Sequence, residues 1–114
     1  ETFVRLGEFD VTPTPRMQPV LKKYDGKPIV LGIRAENLET LHEPANDALR
    51  TDVLVVEPLG SQNLLTAAFG GHRIKVSTHP GFPARAGGEV WLRFPPESVR
   101  WIDPDTKRAL YPSL

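Results

Sequence analysis

The sequence has no cysteine, which removes thiol catalysis, disulfide staples and cysteine-ligated zinc and fits a reducing compartment. It also lacks an excess of charge, because 14 Lys plus Arg stand against 14 Asp plus Glu. Binders of nucleic acid or anionic membrane ordinarily carry a basic surplus, so neither function is supported and no nucleic-acid partner is expected. No apolar run approaches the roughly 18 residues of a spanning helix, so no segment is expected to cross a bilayer. Aromatic residues make up only 8% of the chain. An initial Met is missing too: Glu1 opens the chain without a leader pattern, which reads as a processed chain or a piece of something longer.

What is plentiful is punctuation. The 114 residues suit a single domain over 1–114, large enough to bury a core without a staple. Twelve prolines and nine glycines are spread along them. Their share, about 18 per cent, exceeds ordinary usage but stays below that of low-complexity chains. Frequent prolines leave little length for helices and disturb short strands less, so the composition predicts an all-β domain.

A pass along the chain supports this. Thr2–Leu6 is an extended candidate, followed by the turn-rich Thr12-Pro13-Thr14-Pro15. Val20–Tyr24 and Pro28–Ile33 flank Asp25-Gly26-Lys27, a hairpin signal. Arg34–Glu39 allows one helical turn. Asp52–Leu59 is the longest strand candidate, and its unbroken apolar stretch suggests burial on both faces or a central barrel position. Leu64–Phe69 and His72–Thr78 around Gly70-Gly71 predict a second hairpin. Glu89–Phe94 alternates with Val90, Leu92 and Phe94 on one face, and Val99–Ile102 is followed by Ala109–Leu110. About seven short strands between turns predict a small barrel or sandwich.

The motifs of catalysis are absent. The only Gly-Lys pair, Gly26-Lys27, is followed by Pro28 and has Leu21 where a phosphate loop needs its first Gly, so this chain is not expected to hydrolyse ATP. His42, His72 and His79 lack metal-ligand spacing and read as ordinary histidines. Gly60-Ser61 lacks the second Gly of a nucleophile elbow, because Asn63 stands there. Glu36, Glu39 and Glu43 line one side of a hypothetical short helix and read as a solvated face. Trp91 and Trp101 read as packing residues rather than base-stacking platforms.

Three segments carry a resemblance. Leu31-Gly32-Ile33-Arg34-Ala35-Glu36-Asn37-Leu38 resembles the Leu-Gly-Ile-Arg-Pro-Glu segment in the C-terminal regulatory (TOBE, molybdate-binding-like) domain of ATP-binding subunits of carbohydrate ABC importers of the maltose, trehalose and glycerol-phosphate type. Ala35 replaces the usual Pro. Val55-Val56-Glu57-Pro58-Leu59-Gly60-Ser61 is similar to that family's Val-Glu-x-Leu-Gly-x-Glu. Gly88–Glu97 followed by Ile102-Asp103-Pro104-Asp105-Thr106-Lys107 resembles a strand, Pro-Glu and a Phe-Asp-x-x-Thr-Gly close, with Lys107 in place of Gly. The match covers roughly 28–110, whereas 1–27 form a leading segment that matches only in character.

The resemblance implies a small OB-type barrel with additional strands. It implies a regulatory and dimerisation domain without chemistry, which holds two ATPase subunits together and in some members receives regulatory proteins. The expected partners are a second copy of the chain, the ATPase domain of the same subunit and, indirectly, the transmembrane permease subunits, at the cytoplasmic face of the cell membrane. No cofactor belongs to this stretch; ATP and Mg would sit in an ATPase domain preceding Glu1.

The family-motif residues are Gly32, Arg34, Glu36, Glu57, Gly60 and Asp103. Gly32 suits a close backbone approach or bulge. Arg34 and Glu36 point to one side if extended and suit a strand-end ion pair. Gly60 suits a tight turn and Asp103 a turn start. A self-interface is expected among apolar and Arg residues, with Phe82, Trp91, Arg93 and Trp101 as candidates. The rival expectation is a barrel that binds a small ligand, an oxyanion such as molybdate or a sugar, through Ser61, Thr66, Ser77 and Thr78 with Lys75.

Overall fold

A computed structural model of the chain describes residues 4–6 and 9–111. The all-β, OB-type expectation holds: nine strands, one five-residue helix and two single 3-10 turns are described. No described helix is long and apolar enough to cross a membrane. The residues fall into two compact units, Glu1–Ile33 with Pro96–Leu114, and Arg34–Pro95.

In the first unit β1 (Val4–Leu6) pairs antiparallel with β2 (Phe9–Val11). Thr2 and Phe3, the start of the strand expected here, lie outside the described residues. The run at Val20 is a correction. It belongs to helix α1 (Gln18–Lys22), with Pro19 in the first turn where its missing N–H costs nothing. No hairpin therefore forms around Gly26, and β3 (Val30–Gly32) pairs instead with the distant β9 (Arg100–Ile102). Ala109 extends this ladder by a single bridge to Ile102. Val11, Met17, Leu21 and Trp101 are buried in this unit.

The second unit opens with a 3-10 turn at Ala35–Asn37, the turn expected of Arg34–Glu39. A five-stranded sheet follows, made of β4 (Glu39–Leu41), β5 (Leu49–Pro58), β6 (Asn63–Phe69), β7 (His72–Thr78) and β8 (Glu89–Arg93) in the order β4-β8-β5-β6-β7. All its pairs are antiparallel, and the sheet curls as a half-barrel. Gly70 and Gly71 both adopt positive φ, 51° and 82°, at the β6–β7 hairpin, as a tight primed turn demands. Val90 and Leu92 are fully buried and Phe94 is nearly so, confirming the face read from their alternation.

The longest strand occupies the middle of the sheet, but its apolar run is not buried on both faces. Val53 pairs with Ala67 and Val55 with Thr66, so Leu54 is the extra residue of a β-bulge. Val53 points inward at 1% exposure, whereas Leu54 and Val55 are 40% and 45% exposed.

Candidate interaction surface

Strand β5 has two different halves. Leu49–Asp52 pair with β8 on one edge. The loop before β8 then gives Val53 its last partners on that side, with Val53 N–H donating to Gly88 O at 2.9 Å and Gly87 N–H donating to Val53 O at 2.8 Å. From Leu54 to Pro58, no strand pairs with that edge among the described residues. The bulge at Leu54 turns the strand away at this point. Leu54, Val55 and Leu59, the last at 53% exposure, are exposed apolar residues on this half of the strand and just after it. Gly60, at φ 92°, then reverses the chain, with Leu59 N–H donating to Gln62 O.

The outer face next to Val55 is polar. Thr66 and Lys75 are register partners across β6 and β7. Lys75 Nζ donates to Thr66 Oγ1 at 2.8 Å and lies 3.7 Å from Glu57. Ser77 Oγ donates to Gln62 Oε1, and Thr78 Oγ1 donates to the carbonyl of His79. Of the groups expected to hold an oxyanion, Lys75 and Thr66 are thus engaged with each other, Ser77 with Gln62 and Thr78 with a backbone carbonyl, and a carboxylate lies beside the cation.

The other expected site residues are scattered. Gly32 sits in β3, where an added Cβ would lie 3.3 Å from the end of the Ile102 side chain and 3.7 Å from the backbone O of Arg100, an ordinary contact distance, and the β3–β9 register carries no bulge. Arg34 is extended at the N-cap of the 3-10 turn and Glu36 lies inside it; both are exposed, and no ion pair joins them. The turn, by breaking the extended backbone, separates the pair read from their two-residue spacing. Glu36, Glu39 and Glu43 share no helix either, since Glu39 lies in β4 and Glu43 in the following loop.

Arg93 is the centre of a charge cluster. Its Nε and Nη2 donate to the two carboxylate oxygens of Asp47 at 2.8 and 2.9 Å, and Nη1 donates to Glu39 at 3.0 Å. These bonds hold the Asp47 carboxyl below its ordinary range and raise the guanidinium further still. Trp91 is half-buried in β8. Phe82 is half-buried with His42 and His79 edge-on, at ring separations of 6.1 and 6.0 Å. Trp101 corrects the expectation of an exposed contact: only 2% of it is accessible, so it is core.

Asp103 closes the first unit's last turn. It accepts from the backbone N–H of Asp105 and Thr106 at 2.8 and 3.0 Å and from Tyr24 Oη at 2.6 Å. The Tyr24 contact was invisible in the sequence, because 79 positions separate the two residues. No cluster of His, Asp and Glu able to hold a metal occurs among the described residues.

A curled antiparallel half-barrel made almost wholly of strands is the architecture of an OB-type domain. The chain belongs to the TOBE domain family, whose model matches residues 31–102. It is similar to the trehalose/maltose import ATP-binding protein MalK of Thermococcus litoralis, with 29% identity over 116 positions covering 96% of this chain and 31% of that protein. It is also similar to the xylose/arabinose import ATP-binding protein XacJ of Haloferax volcanii, with 28% identity over 109 positions covering 85% of this chain and 28% of that protein. The chain thus spans less than a third of either relative.

Proposed function

We propose that this TOBE domain is the non-catalytic regulatory and self-associating part of the ATP-binding subunit of a sugar ABC importer, and that it holds two such subunits together through the open half of β5. The names of both relatives support the parentage. The observation that carries the gripping role is the exposure of Leu54, Val55 and Leu59 on and next to a strand segment whose edge is unpaired among the described residues. Contiguous exposed apolar side chains mark interaction sites, and an open edge pairs with another extended strand. A second copy related by a twofold axis presents the same edge, which makes the contact isologous and closed.

The advantage to the parent is effective concentration. A contact between the two subunits outside their ATPase faces keeps those faces at roughly millimolar local concentration when no nucleotide bridges them. ATP and Mg bind to the ATPase domain of that parent, the permease subunits meet it at the cytoplasmic membrane face, and regulatory proteins dock on this module.

The reading frame that encodes the chain tests the parentage. A phosphate loop and an ABC signature upstream of Glu1 are expected, and a frame without a nucleotide-hydrolysing module contradicts it. Calorimetry of the chain with molybdate is expected to show no binding; micromolar affinity would make it an oxyanion receptor instead.

A further inference from the structure

Arg16 and Arg100 are exposed, their guanidinium groups have no hydrogen-bond or ion-pair partner among the described residues, and both line the same cavity of the first unit. Arg16 lies just before α1 and Arg100 in β9. The cavity measures about 480 Å³ and includes Met17, Trp101 and Leu110 in its wall. Met17 and Trp101 are themselves buried, which makes this wall a fixed part of the unit. One carboxylate, Glu97, shares the rim, so the lining carries two cations and one anion.

Each feature limits the ligand. A guanidinium without a carboxylate of its own presents a fork of donors suited to a planar anion. The net excess of one positive charge suits a monoanion rather than a dianion. The volume falls within the range of roughly 300–1,000 Å³ usual for small-molecule pockets and would take in only a short piece of a peptide. Apolar wall atoms favour a body that sheds water on entry.

We infer that this cavity binds a small amphipathic carboxylate, with its head held by Arg16 and Arg100 and its alkyl or aryl body against the accessible apolar wall at Val99, Leu110 and Tyr111. The inference does not depend on self-association, which the proposed function assigns to β5 in the other unit. It gives the module a chemical input.

The test is a titration of the isotope-labelled chain followed by amide NMR, with octanoate as the probe. Octanol serves as its uncharged counterpart and acetate as its headgroup alone. Octanoate is expected to give saturable shifts centred on residues 16–17 and 99–101, at least about tenfold tighter than octanol or acetate. Arg16→Ala and Arg100→Ala should each weaken it about tenfold, the cost of losing a charge-assisted contact. Glu97→Gln should tighten it severalfold, and this variant keeps the test decisive if an arginine variant folds poorly. Amide dispersion reports folding of each variant. Scattered or unsaturable shifts, equal binding of octanol, or unchanged affinity in both arginine variants would overturn the inference. So would saturation at these residues by an acidic peptide when octanoate gives none, which would make the cavity a peptide dock.

Discussion

Tyr24 Oη donates a 2.6 Å hydrogen bond to Asp103 Oδ2, joining the segment after α1 to the turn after β9. The bond holds the Tyr24 hydroxyl above its ordinary pKa, and together with the N–H groups of Thr106 and Asp105 it holds the Asp103 carboxyl below its own. The signs follow by linkage. Asp103 contributes stability above the unfolded carboxylate value of about 4, and the contribution disappears as pH falls through its lower folded value. Tyr24 contributes below the unfolded phenol value of about 10 and loses that contribution as pH rises through its higher folded value. Tyr24→Phe should therefore lower the urea midpoint across the neutral plateau and converge with the unaltered chain at both extremes. A constant difference at every pH would show that the bond does not titrate.

The Arg93 fork makes a second electrostatic prediction. Replacing Arg93 by Met should return the Asp47 carboxyl to the ordinary range, read directly by NMR titration of its side chain. Arg93→Lys should restore only part of the depression, because an ammonium cannot bond both oxygens of Asp47 in the observed fork.

Burial separates the two tryptophans. Trp101→Ala should cost about 3–5 kcal/mol in denaturant unfolding and Leu65→Ala about 2–5 kcal/mol, since both are fully enclosed. Half-buried Trp91 should cost less on the same scale. Equal costs for both tryptophans would place Trp91 in the core as well.

Lys107 is the sole non-glycine with positive φ among the described residues, at 63°. It occupies the position where the resembled family pattern closes with Gly. Lys107→Gly should raise stability by roughly 0.5–1 kcal/mol, the relief of left-handed strain exceeding the added chain entropy. A loss of stability would mean that the side chain contributes more than its backbone costs.

Much of the second unit was legible in the sequence because its strands announce themselves. His72–Thr78 and Glu89–Arg93 alternate, and Gly70-Gly71 marks the turn between β6 and β7. The first unit was harder. Val20–Leu21 is too short an apolar run to distinguish strand from helix, and only Pro19 hinted at a helical start. Strand β2 is three residues with Asp10 at its centre, below any periodic signal. The β3–β9 ladder joins segments about 70 residues apart, and local pattern holds no information about such pairing.

The proposed surface was hidden by a different physical effect. The run from Val53 to Val56 reads as wholly buried, but one extra residue at Leu54 shifts the alternation and sends Val55 to the outer face. Nothing in the order of Leu, Val and Val signals a bulge. Arg93 was singled out as an interface residue for its type, yet its donors are occupied by Asp47 and Glu39.

Sedimentation of the chain from low to high micromolar concentration, alongside Leu54→Lys with Leu59→Lys, tests the grip on a twin most directly. The account predicts a reversible dimer that the paired substitution abolishes, with unfolding free energy changed by no more than about 0.5 kcal/mol, as for other exposed positions. A chain that stays monomeric at high micromolar concentration, or a dimer indifferent to both lysines, would contradict it.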